Sequence, residues 1–499
     1  MDWLILLPIF LPSLAGIVLL ASSFYEHIKY GQTDEKKRKS VHLFSGAVLA
    51  VSAAAALWIA WRGTGSVTLF YLMEDIPVFF QVDALGSVFA SFMSIVWVLV
   101  AVYSFVYMEH EGNEKRFFGV YLLVYGVLIA LDFAGNLVTL YLFYELMTLT
   151  SMPMVLHNGS KASIMAALKY LFYSMCGAYL GLFGIFFLYK YCGTLSFVAG
   201  GSLNLALAAG NEGILLIAVF AMLIGFGAKA GMFPLHAWLP AAHPVAPSPA
   251  SAVLSGIIVK AGVLAVIRVV YYTVGADFLR GTWVQAVWMA LTLLTVFMGS
   301  LLAFREPVFK KRLAYSTVSQ ISYILFGLSL LTPVAVTGAL LHTVFHAFIK
   351  CALFLTAGIF IFQCGKSRVE ELDGIGKRMP GTLWCYTFAS LALIGIPPAS
   401  GFISKWYLAQ GALKAGVGIF GWLGPVVLLI SALLTAGYLL PVTMKGFFPG
   451  HGEAVSAEKQ EAKPGMLFPL AVLAAAAVLL GVFPNPLIQY VSRIAEALM

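Results

Sequence analysis

The chain is a succession of apolar runs about 20 residues long, separated by short polar stretches, the length a helix needs to cross a bilayer core. Fourteen runs stand out, at 3–23, 41–61, 84–107, 117–133, 136–156, 163–189, 213–233, 248–272, 284–303, 313–331, 335–363, 381–413, 419–444 and 466–485. The segment 63–83 breaks the pattern: it is polar, aromatic and acidic, and is predicted to form an ordered loop outside the apolar layer. Only Ala134 and Gly135 separate the fourth and fifth runs, which forces those two helices into an antiparallel pair.

Composition then decides the broad class. Of 499 residues 61% are apolar and 10% charged, against roughly 25% charged in an ordinary soluble domain. That excludes a soluble enzyme, a nucleic-acid binder and a disordered scaffold, and predicts an all-α polytopic membrane protein. The net charge of +8 fits the bias of Lys and Arg toward the cytoplasmic side rather than a nucleic-acid partner. Met1-Asp2-Trp3 brings no basic leader, so the first run reads as a retained span. The five cysteines, Cys176, Cys192, Cys351, Cys364 and Cys385, have no spacing suited to zinc or an iron–sulfur cluster and read as small apolar fillers, so no cofactor is expected.

The basic residues also fix an orientation. Nineteen of the thirty Lys and Arg fall in odd-numbered connections, among them Lys29, Lys36, Lys37, Lys310 and Lys311. Six fall on the opposite side: Arg62, Lys190, Arg268, Arg280, Lys414 and Arg493. The first connection is therefore expected in the cytoplasm and both termini outside, in the inner membrane of a prokaryotic cell.

Five lysines remain inside the runs: Lys169, Lys229, Lys260, Lys350 and Lys405. One carboxylate, Glu145, lies well inside a run, and Asp132 sits at the edge of another. A charge at mid-bilayer costs a few kcal/mol even on the lenient insertion scale, so such residues should face the interior of the bundle or water. Lys169 is near enough to the cytoplasmic end to snorkel. Lys229 precedes Gly231 and Pro234, whereas Lys405 follows Gly-Ile-Pro-Pro-Ala-Ser-Gly at 395–401. Both therefore border a helix break, where freed carbonyls need a partner. One interrupted helix in each half points to inverted repeats with a site near the midplane. The expected division is residues 1–110 for the first three helices, 111–275 and 276–447 for two inverted five-helix repeats, and 448–499 for a cytoplasmic loop and the last helix. His342, His346 and Lys350, spaced by four, form one polar stripe on a helix face. No helical carboxylate joins the histidines and the lysine opposes a cation, so a proton relay is favoured over a metal site.

Several motifs follow one another in order: Tyr103-Ser104 with Tyr107-Met108, Tyr144-Glu145-Leu146, KAGMFPLHAWLP from Lys229, HPVAPSPASAVLSGIIVKAG from His243, Lys311 to Gln320, the His342–Lys350 stripe with Leu353-Phe354-Leu355, and GIPPASGFISKW at 395–406. On these the chain resembles, over nearly its whole length, the antiporter-like subunits of respiratory complex I, of Mrp-type sodium/proton antiporters and of membrane-bound energy-converting hydrogenases and formate hydrogenlyases. The resemblance implies fourteen core helices with broken seventh and twelfth helices. It also implies a Glu145–Lys229 pair followed by Lys260, His346 with Lys350, and Lys405 as the proton route. Where that family commonly has Leu-Pro-Asp, this chain has Leu239-Pro240-Ala241, which removes a carboxylate near the first break. No counterpart of the long lateral helix of the largest complex I subunit is expected after the fourteenth run, and quinone chemistry is expected in other subunits.

The expected function is a proton-translocating subunit of a redox-driven pump of the hydrogenase or NADH/ferredoxin-linked type. The alternative is one subunit of an Mrp-type Na+/H+ antiporter. The expected partners are other membrane subunits, the lipid bilayer and protons, with sodium as the other ion.

Overall fold

The computed structural model describes residues 2–30, 38–449 and 459–499. Lys36 and Lys37 lie outside the described residues. The bundle begins with α1 (Leu7–Tyr30) and α2 (Arg38–Arg62), then a hairpin of β1 (Ser66–Met73) and β2 (Ile76–Gln81). Helices α3 (Ala84–Glu111), α4 (Glu114–Asp132), α5 (Leu137–Val155), α6 (Lys161–Tyr191) and α7 (Glu212–Lys229) follow. After the first break come α8 (Leu239–Val245) and the long helix α9 (Ser248–Val274). Then come α10 (Trp283–Arg305), α11 (Phe309–Ser329), α12 (Pro333–Cys364), α13 (Pro380–Ile394), α14 (Ser400–Lys414), α15 (Ile419–Phe447), α16 (Pro464–Val482) and α17 (Asn485–Ala497).

Among the described residues ten helices are long and apolar enough to cross a membrane. The other expected spans coincide with α4, α5, α11 and the broken pair α13–α14, which are shorter or more polar. The two groups of helices repeat one order of neighbours. In the first, α4 packs on α5, α5 on α6, and α6 on both α7 and α8; in the second, α10 packs on α11, α11 on α12, and α12 on both α13 and α14.

Two helices occupy the centre. The apolar window of α9 is buried along its whole length and that of α12 almost so, while α1, α2, α15 and α16 leave most of theirs on the outer surface. A helix apolar all round belongs in the middle of a bundle, and these two carry Lys260 and the His342–Lys350 stripe into it.

The 63–83 segment is ordered, as its composition predicts, and the order is the antiparallel hairpin. It pins the tight α4–α5 connection: Gln81 N donates to Phe133 O at 2.7 Å and Gly135 N to Phe79 O at 3.0 Å. A Cβ on Gly135 would lie 2.2 Å from the Phe79 ring, so a larger residue there would have to displace that ring. Asn136 caps α5 by accepting from Thr139 N at 2.7 Å and donates to Pro77 O at 2.6 Å.

Two basic residues assigned to connections are buried instead. Arg268 lies within α9, 1% exposed, and is held by the Asp83 carboxylate at 2.5 and 2.8 Å. Lys310, in the first turn of α11, is 5% exposed and donates to Ala246 O at 2.5 Å. In both cases the partner comes from a distant part of the chain. At the α1–α2–α4 corner the charges pair as Arg38–Glu114 and Lys115–Glu26, at 2.5 and 2.6 Å.

Candidate functional site

Lys229 is the last residue of α7, where the partial negative charge of a helix C-terminus favours a cation. Ala230 and Gly231, the latter at φ 78°, turn the chain out of the helix, and Trp238 Nε1 donates at 2.9 Å to the Ala228 carbonyl, which also accepts from Gly231 N at 3.1 Å. The fully buried Lys229 ammonium donates to Thr148 Oγ1 and Tyr170 Oη at 2.8 Å and to Ser174 Oγ at 3.1 Å. Its Nζ also lies 4.3 Å from the centre of the Tyr170 ring.

Glu145 is not among its contacts. The glutamate lies half-buried on the outer side of α5, accepts from Tyr141 Oη at 3.3 Å, and acts on Lys229 through space. The expected pair is thus separated, and Thr148, one turn further along the same helix, takes the place next to the lysine. Lys169 is exposed on α6, in keeping with a snorkelling side chain.

The central helix α9 reaches the first break through a glycine. A Cβ on Gly262 would stand 2.6 Å from Phe226 O and 2.8 Å from Ala230 N, so glycine alone lets α9 sit against the end of α7. Two residues earlier, Lys260 is 1% exposed. It donates to Gly256 O, in a widened π-helical turn over Leu254–Ile258, and meets His346 Nδ1 at 3.1 Å. Such turns free carbonyls inside a helix and recur at functional sites.

On α12 the stripe splits in two directions. His342, one turn from His346 with ring centres 6.0 Å apart, contacts Ser404 Oγ through Nδ1 at 2.8 Å and Gln320 Oε1 through Nε2 at 3.1 Å. Ser404 adjoins Lys405 in α14. Lys350 lies on the other side of His346, donating to Leu313 O at 3.0 Å and to Ser316 Oγ. The side chain on the Lys405 side of the stripe is His342, through Ser404, while Lys350 lies one turn beyond His346 in the other direction.

At the second break α13 ends at Ile394, Gly395 takes φ 92°, and α14 begins at Ser400. Half-buried Lys405 reaches back across the gap and donates to the freed carbonyls of Leu393 and Ile394 at 2.7 and 2.9 Å.

Two buried groups near this line were not singled out from the sequence. His243 is fully buried against Phe354, ring centres 4.7 Å apart, within electrostatic reach of Lys310 and Lys350. Neither of its ring nitrogens has a hydrogen-bond partner among the described residues. Gln320 was quoted only as the end of a motif. A histidine or glutamine inside a long apolar stretch is the available signal, since neither is buried there without a reason.

The geometry has counterparts among known proteins. Residues 134–435 match the family described as NADH:quinone oxidoreductase/Mrp antiporter, transmembrane, and residues 73–118 match the N-terminus of complex I chain 5. The chain is 31% identical over 467 residues to NADH-quinone oxidoreductase subunit N of Desulforudis audaxviator, covering 90% of this chain and 91% of the relative. It is 28% identical over 505 residues to a Na(+)/H(+) antiporter subunit of Bacillus subtilis, covering 100% of this chain and 98% of the relative. Its fold superposes on a chain of the archaeal membrane-bound sulfane sulfur reductase with a TM-score of 0.84 at 23% identity, over 99% of this chain and 97% of that one. Three kinds of complex thus share one membrane scaffold, and this chain belongs to the NADH:quinone oxidoreductase/Mrp antiporter family of multi-pass membrane subunits.

Proposed function

We propose that this chain is the proton-translocating, antiporter-like subunit of a complex I-related, redox-driven ion pump. The observation that carries the reading is the buried polar line from Lys260 through His346 and His342 to Ser404, beside Lys405, laid along the two most enclosed helices. Its side chains are proton carriers, and nothing about them resembles a cage for an organic solute. Glu145, Lys229, Lys260, His342, His346, Lys350 and Lys405 are the residues assigned to it.

Lys229 is the first station. Glu145 acts on its charge without touching it, so a change around the glutamate shifts the proton held at Lys229. The close approach at Gly262 brings α9 to the end of α7, and the proton passes toward Lys260. His346 and His342 carry it to Ser404 and Lys405, which exchange it at one side, while Lys350 serves the other. The division into 111–275 and 276–447 as repeats is supported by the shared order of helix neighbours, and termini on the outer side of a prokaryotic inner membrane by the 18:5 distribution of basic residues that remains once buried Lys310 and Arg268 are set aside.

A second reading, as part of an Mrp-type secondary antiporter, is favoured by the match along the whole chain to a protein of a sodium/proton antiporter. The purified complex in proteoliposomes separates the two. Proton transport that starts on adding a reductant supports the pump. Transport driven by a sodium gradient, with no reductant effect, supports the antiporter and overturns the first reading.

A further inference from the structure

Resting on the reading of a proton line through Lys260, we propose that Asp132 is a second proton-exchange residue, joined to Lys260 by a single water and opening a branch that leads away from Lys405. Asp132 ends α4, 4% exposed, and its Oδ2 has no hydrogen-bond partner among the described residues. A carboxylate in this place is doubly unfavourable: it sits at the negative end of a helix and one oxygen is left unsatisfied in an apolar setting. A structural carboxylate would be expected to have its oxygens bonded, so the open oxygen points to a partner that comes and goes.

That partner has a place to stand. A cavity of about 10 Å³ is lined by both Asp132 and Lys260, together with Phe89, Phe92, Leu128 and Ala261. The volume is about that of one water, which is placed here between the free Asp132 Oδ2 and the third N–H of Lys260, whose other two go to Gly256 O and His346 Nδ1. The step is balanced: an N–H bond of the Lys260 ammonium breaks, the water relays the proton, and an O–H bond forms on Asp132. The lysine is left neutral and the carboxyl neutral.

The charged and titratable groups facing Asp132 set the rest of the branch. Lys260 and Arg268 come from α9, Tyr125 from α4 itself, and Asp83 stands at the start of α3. Gly86 of α3 packs against the Asp132 carbonyl, where a Cβ would come within 2.4 Å. Next to Asp132 stands the Arg268–Asp83 ion pair. Its arginine side chain is 2% exposed and its aspartate 26%, so the pair has one end in the bundle and the other in solvent. Opening this bidentate pair connects Asp132 with the side on which α3 begins.

The test uses the assembled complex in proteoliposomes, with wild type, Asp132→Asn, Asp132→Glu, Ala261→Val and Lys260→Ala compared. Asp132→Asn removes the exchangeable proton with little change of shape, and Ala261→Val fills the cavity while keeping both titratable groups. Both are expected to slow proton transport by about a hundredfold, with Asp132→Glu restoring much of the rate. Infrared difference spectra should contain a carboxylic C=O band that titrates in wild type and is absent from Asp132→Asn, which a purely structural carboxylate would not give. If either Asp132→Asn or Ala261→Val, once assembled, transports at the wild-type rate while Lys260→Ala does not, the branch is refuted and the main line stands. If Asp132→Asn does not assemble, Ala261→Val decides. Wild-type transport by Lys260→Ala overturns the main line itself.

Discussion

Lys229 and Lys405 sit at the two helix breaks, yet their surroundings are chemically different. Three hydroxyls hold Lys229, and a hydroxyl can accept from an ammonium or donate to a neutral amine. Two main-chain carbonyls hold Lys405, and a carbonyl only accepts. The first site keeps its hydrogen bonds whichever state the lysine is in. The second favours the charged form, because an amine lone pair finds no donor there. Exposure differs in the same sense: Lys229 is fully enclosed and Lys405 is partly exposed. The hydrogen bonds of the first break are thus indifferent to the protonation state of its lysine, and those of the second favour the charged form.

Arginine tests this directly, since its guanidinium stays protonated in proteins. Lys229→Arg is expected to lose about as much transport as Lys229→Ala, on the order of a hundredfold or more. Lys405→Arg should lose only about tenfold, because its charge still satisfies the two carbonyls and water can take over the last exchange at a partly exposed site. Equal losses in the two arginine variants, measured as initial rates in proteoliposomes, would break the comparison.

A smaller effect sharpens it. Tyr170→Phe removes one of the three hydroxyls and a bond of 2.7 Å to Ser151. A net hydrogen bond is worth about 1 kcal/mol, so the rate should fall roughly fivefold. Ser174→Ala, at the longest of the three contacts, should cost less. A wild-type rate for Tyr170→Phe would show that the hydroxyl cage does not set the state of Lys229.

The helix approaches at the two breaks give a stability comparison. Gly262→Ala would press a Cβ against Phe226 O at 2.6 Å, and Gly401→Ala against Ala392 O at 1.9 Å. Both contacts are with backbone, so each variant is expected to lose about 1–3 kcal/mol, Gly401→Ala the more, as thermal unfolding in detergent would record.

The smallest predicted effect on transport lies outside the apolar layer. Burial, and next the positive charge of Arg116, push the imidazole of His157 down to about 4, although its hydrogen bond to Gly112 O at 3.1 Å works the other way. The unfolded chain takes up this proton near pH 6.5, so its stabilisation is complete above that pH and is lost as pH falls toward 4. The loss amounts to about 3 kcal/mol at most. His157→Gln should flatten the acid limb of a stability–pH profile between those values while leaving transport near neutral pH unchanged.

What was legible in the sequence follows from scarcity. Apolar runs reveal helices because little else is that long and that apolar, and a lysine inside one is visible because it is costly there. The two breaks were readable from Gly and Pro beside Lys229 and Lys405. Partners far apart in sequence were not. Arg268, near the end of the eighth run, was counted with the outer side because its partner Asp83 lies 185 residues away. The separation of Glu145 from Lys229 was hidden, since helical spacing gives a face and not the rotation of that face in the bundle. Thr148 and Ser174 were not singled out, because hydroxyls are common in membrane helices and carry no cost that marks them. The amphipathic helix α17 was missed because it is too short and too polar to read as a span.

The most direct measurement is proton-gradient formation by the purified complex in sealed proteoliposomes, comparing wild type with Lys229→Ala at equal assembly. Lys229 as the switching station predicts a gradient with wild type and none with the variant. A gradient of wild-type size and rate from Lys229→Ala would contradict it.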